Sequence, residues 1–120
     1  MIYIVIYDIL GLVKATRITY KKLSFILDSG DEIFVIVDVF KIPPPDDVKF
    51  PDGFKFSFCA FKKDDPDDRI LMDCHPPKKP HFHEGNKESE FEWTGLADAT
   101  DLFWEKVEHK FGKIHNKKGG

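Results

Sequence analysis

Along this chain the apolar positions change period once. Up to residue 73 they alternate with polar ones or run in short unbroken blocks, and from Leu96 they recur at helical spacing. Residues 2 to 7, IYIVIY, are β-branched or aromatic with no polar face. That predicts a strand covered on both sides or paired with a second copy of the chain. The next segment, DILGLVKAT, is ambiguous, because Gly11 weakens a strand and a helix alike. Residues 17 to 27 predict a strand in which Ile18 and Tyr20 keep one parity and Leu23, Phe25 and Leu27 the other. A bulge near Lys21 and Lys22 would bring both sets onto one face.

DSGDE, residues 28 to 32, reads as a hairpin turn in which Gly30 takes positive φ. The return strand, residues 33 to 42, is apolar on both faces until Asp38, as a central strand is, and PPPDD ends it. In FKFSFCAF, Phe54, Phe56 and Phe58 point one way and Lys55 and Ser57 the other. KKDDPDD, residues 62 to 68, is a turn, and RILMDC pairs back on the Phe strand. SEFEW, residues 89 to 93, predicts a last short strand. Leu96, Ala99, Phe103, Val107 and Phe111 follow a helix period, with Thr94 or Asp98 as a cap at its start and Gly112 at its end. The predicted fold is α+β: an antiparallel sheet of four to six strands with one C-terminal amphipathic helix packed on it. Residues 1–120 form one domain, with residues 1–13 as an apolar N-terminal extension and residues 112–120 as a disordered basic tail.

Composition narrows the class. A chain of 120 residues, 42% hydrophobic, is of a size to bury one core without disulfides or metal. Twelve Phe against two Met lean toward sheet. A net charge of −3 excludes a global field that gathers nucleic acid or anionic lipid, so an anion site must supply its own local charge. The apolar start is interrupted by Asp8, lacks a basic leader region and is shorter than the roughly 20 residues that span a bilayer. The expected setting is the cytoplasm, with no membrane partner. Cys59 and Cys74 are read as small core residues.

Candidate chemistry gathers in DCHPPKKPHFHEG, residues 73 to 85, which holds three of the five histidines. In an extended segment His81 and His83 share a face while Phe82 turns into the core. If residues 76 to 80 double back, Asp73 and His75 meet them. Two chemistries suit such a cluster. In one, His81 and His83 act as general base and acid on RNA, Asp73 orients one of them, and Arg69, Lys78 or Lys79 stabilises the transition-state charge, with no cofactor. In the other, His81, His83, Asp73 and His75 or Cys74 hold a divalent metal. The plain alternative is a polar Pro-rich connection that carries histidines. DDPDD lacks the Gly and terminal Glu of a calcium loop.

The order of these segments resembles the TumE-like family of prokaryotic toxin components. The resemblance runs from residue 17 to 111: the hairpin around DSGDEIFVIVDVFKIP, the strand FKFSFCAF, an acidic turn, RILMDCHPPKKPHFHEG with its HxH, and a closing helix. Asp73 and His81-Phe82-His83 carry most of it, and the chain departs from the family's pattern at Cys74-His75-Pro76. It implies a toxin whose partner is an antitoxin, and RNA cleavage by analogy with other small toxins. A third reading is a non-catalytic interaction module that binds through its edge strand and apolar start, with residues 2–7 also able to form a homodimer.

Overall fold

Strand-forming runs dominate the fold because their backbone groups find partners in sequence order. The computed structural model describes residues 2–8 and 11–116, those before residue 15 by backbone alone. β1 (Ile2–Asp8), β2 (Gly11–Leu27), β3 (Glu32–Lys41), β4 (Phe54–Lys62), β5 (Asp65–Asp73), β6 (His81–Glu84) and β7 (Lys87–Glu90) follow one another across an antiparallel sheet. Helix α1 (Leu96–Phe111) comes next, and β8 (Ile114–Asn116) returns to pair with β2. The α+β class stands, but the sheet is larger than four to six strands.

The extra strands come from the length of β2. Its 17 residues pair β3 along one edge, while the other edge takes β1 at Gly11–Arg17 and β8 at Phe25–Leu27. Residues 2–8, at the apolar start, are one arm of a hairpin at the end of the sheet. The expected disordered tail is likewise a strand over Ile114–Asn116, and residues 117–120 lie outside the described part.

Register sorts the side chains. Leu23 and Phe25, Val35 and Val39, Phe56 and Phe58, Ile70 and Met72, and Phe82 share one face. The apolar stripe of α1 lies on it, with Phe103 and Val107 fully buried. The Phe103 ring is 5.5 Å from Phe58, and Trp104 meets Phe25 edge-on at 5.7 Å. Lys106 Nζ sits 4.4 Å over Phe82. No side chain caps the start of α1 at Gly95; Thr94 Oγ1 instead donates to Asp98 at 2.8 Å. Gly112 ends the helix at φ 86°, as its position predicts.

Three local expectations shift. The bulge lies at Ile18, between Arg17 and Thr19, and not near Lys21 and Lys22. Tyr20 is thereby placed opposite Asp38 on the helix-free face, where the Arg17 guanidinium, held by Asp38 at 3.0 and 3.2 Å, stacks on its ring at 4.8 Å. The acidic turn is shorter than predicted: β5 starts at Asp65, and the register slips between Lys62↔Asp65 and Phe61↔Arg69. The last hairpin strand is Lys87–Glu90, because Phe91 and Trp93 leave the ladder to pack against Phe56. No helix among the described residues is long and apolar enough to cross a membrane.

Candidate functional site

Two hairpin turns bring the site together. The segment of residues 74–80 folds β6 back on β5, so Asp73 faces His81 directly and Leu71 faces His83. Gly85, at φ 60°, then opens a two-residue turn with Asn86 that sets β7 against β6. His83 lies opposite Glu88 and His81 opposite Glu90. Alternation puts Asp73, His81, His83, Glu88 and Glu90 on the helix-free face and leaves Phe82 under α1. The predicted side-chain directions in HxH hold.

His81 is the one buried charged or polar residue among those described, with 4% of its surface exposed. Its Nδ1 lies 2.9 Å from the Lys79 carbonyl oxygen. A carbonyl only accepts, so Nδ1 carries a proton, and in the neutral form of the ring Nε2 then presents a lone pair. That lone pair faces two carboxylates: Asp73 Oδ1 at 3.0 Å and Glu88 Oε1 at 3.4 Å. Asp73 Oδ1 has less than 1 Å² of exposed surface and accepts no hydrogen bond, since the close approach of His81 lacks hydrogen-bond alignment. The His83 ring stands edge-on to His81 at 4.8 Å, and its Nε2 is 3.9 Å from Glu88. Ligand atoms of Asp73, His81 and His83 all fall within 4.8 Å of one another. A tetrahedral zinc site with bonds near 2.0–2.1 Å needs edges of about 3.4 Å, so small side-chain rotations close the gap.

A depression of about 250 Å³ opens beside this cluster, lined by Lys78, Lys79, His81, Glu88 and Glu90. Lys78 Nζ is 3.3 Å from Glu88 Oε1, and this hydrogen bond is the main reason the Glu88 carboxyl lies below its ordinary range. The predicted residues divide accordingly. Asp73, His81, His83, Lys78 and Lys79 come together. His75 is exposed on the connecting segment and no ring contact ties it to the cluster. Arg69 is exposed on the same face but four residues along β5 from Asp73, about 13 Å at the usual rise per residue. Cys74 turns away: Phe56 N donates to its Sγ at 3.4 Å and it belongs to the core under α1. Burial pushes that thiol up to about 11.

Sequence reasoning missed Glu88. The signal was the Gly85-Asn86 pair, a hairpin signature that places the acid of KESE opposite the histidines. No family model, curated protein or solved structure matches this chain. The chemistry of the cluster therefore carries the functional reading.

Proposed function

We propose that this chain is a metal-using nuclease that cleaves RNA, with Asp73, His81 and His83 as its ion-binding centre. In this reading it serves as the toxin of a cytoplasmic prokaryotic toxin–antitoxin pair. The observation that carries the catalytic part is the buried Nε2 lone pair of His81, set against the unsatisfied Oδ1 of Asp73. Buried lone pairs that converge at 3.0 Å repel unless a cation or proton lies between them. The Lys79 carbonyl behind Nδ1 fixes the tautomer, as the outer partner of a metal-bound histidine does.

An ion held there would polarise a phosphoryl oxygen and bring the pKa of a bound water to about 7. The chain's own groups supply the rest. Lys78 and Lys79 offer positive charge to a phosphate in the depression, and Glu88 stands at its rim to accept a proton. Geometry favours this over a pair of histidines acting as acid and base without metal. His81 is buried with Nδ1 already engaged, which leaves His83 as the one accessible imidazole of the pair. The toxin assignment and the antitoxin partner rest on the TumE-like order of segments.

The test measures bound metal in purified protein, cleavage of a structured RNA with and without EDTA, and growth inhibition on expression. One ion per chain is expected, with metal affinity and cleavage falling at least tenfold in His81→Ala and His83→Ala. Undiminished cleavage in EDTA would restore the metal-free reading. Growth inhibition that survives His83→Ala, together with absent cleavage, would favour the interaction module.

A further inference from the structure

The sheet face without a helix is built differently from the face under α1. Among the described residues no element covers its middle. Across β2 to β6 the register runs Tyr20–Asp38–Ser57–Asp73–His81 in one row and Lys22–Ile36–Cys59–Leu71–His83 in the next. Each row therefore ends on the candidate centre. From β2 to β6 it spans four strand steps, about 19 Å at roughly 4.8 Å per step.

Tyr20 and Lys22 lie in these rows, and the rows on either side carry Ser24–Phe34–Phe61–Arg69 and Arg17–Phe40–Lys55. Tyr20 is 51% exposed, with the Arg17 guanidinium 4.8 Å over its ring. The rings of Phe34 and Phe61 pair at 5.8 Å, and Lys22 Nζ lies 5.3 Å over Phe34. Lys22, Lys55 and Arg69 have no carboxylate at ion-pair distance among the described residues. The acids of β3 on this face are already matched, Asp38 by Arg17 and Glu32 by Lys63. The strands leading to the centre thus carry a local surplus of cations, although the whole chain is negative.

We infer that this face is a platform for single-stranded RNA that leads the strand to the Asp73–His81–His83 centre. The inference rests on the nuclease reading and names how its substrate is held. Free bases stack on Tyr20 and on the Phe34–Phe61 pair, while Lys22, Lys55 and Arg69 meet the phosphates. A duplex keeps its bases stacked on one another and cannot use these rings. The acids Asp73, Glu88 and Glu90 at the far end would repel a backbone by themselves, so the strand ends where an ion and Lys78 and Lys79 take over.

The test uses the full chain and a fluorescein-labelled ten-nucleotide oligouridine, followed by fluorescence anisotropy in EDTA so that nothing is cleaved. Charge reversal at two exposed positions, Lys22→Glu with Arg69→Glu, should weaken binding about tenfold or more and flatten its salt dependence. Tyr20→Ala should weaken it several-fold through lost stacking. Metal loading and the melting temperature should stay near wild type in both variants, and a duplex of the same length should bind far more weakly. Wild-type affinity in the charge-reversed variant, or no binding by wild type, overturns the platform while leaving the metal centre standing. So does a dimer in sedimentation that the charge reversal dissolves, since the face then binds a second copy. RNA binding that survives while His83→Ala still binds metal and cleaves would sink the centre and spare the platform.

Discussion

Cys74 and His83 show how one alternation step separates a core group from a site group. Cys74 lies beyond the end of β5 and is drawn under α1, where burial holds its thiol neutral to about pH 11. Cys59, on the helix-free face, is also pushed up by burial. Neither thiol should react with a disulfide reagent at pH 8 at the rate of a free cysteine until the protein is denatured. A Cys74 pKa raised from 9.0 means that its contribution to stability is full below pH 9 and is lost as the pH rises through about 11. Denaturation midpoints taken across that window check the sign. His83 makes the opposite case. Its side chain is 38% exposed, so His83→Ala should stay within about 0.5 kcal/mol of wild type in stability while losing metal and activity. A large stability loss would make it a structural residue.

At the scale of elements, α1 is held by two kinds of contact. Phe103, fully buried, meets Phe58 of the sheet, and Phe103→Ala should cost about 3–5 kcal/mol in urea denaturation. Lys110 Nζ reaches Asp68 on β5 at 3.0 Å, and that hydrogen bond is the first cause of the lowered Asp68 carboxyl, with Lys62 assisting. Because the folded value is depressed, the contribution is present above pH 3.8 and is lost as pH falls through the folded pKa. Lys110→Met should therefore destabilise by a few tenths to about 1 kcal/mol at pH 7, and the gap should shrink at pH 3. A gap that persists at pH 3 would assign the loss to packing of the lysine stem.

For the whole molecule, the open question lies at the sheet edge. β1 ends the strand order, so its outer edge has no partner among the described residues. An uncharged run such as IYIVIY there invites pairing with a second chain. The expectation is a homodimer in sedimentation equilibrium that becomes monomeric when residues 1–9 are removed. A wild-type chain that stays monomeric at every concentration would show that the edge is protected by other means.

Local pattern alone determined the hairpin at Gly30, the Phe strand, the helix with Gly112 at its end, and the shared face of His81 and His83. These follow from periods of 2 and 3.6 and from glycine's access to positive φ, which act between near neighbours. Asp73 meets the histidines on the condition the sequence left open, that the connection folds β6 back on β5, and it does so. Tertiary structure alone decided the rest. β2 gained partners from both ends of the chain, which no local window contains. The bulge lies at Ile18, where Arg17 pairs with Asp38, 21 residues away, and its guanidinium lies over Tyr20. Cys74 and His75 left the cluster, and Glu88 joined it, because the pairing of β5, β6 and β7 sets which side chains face one another. The His81 tautomer was settled by the Lys79 carbonyl, two residues away in sequence, whose direction only the folded connection could set.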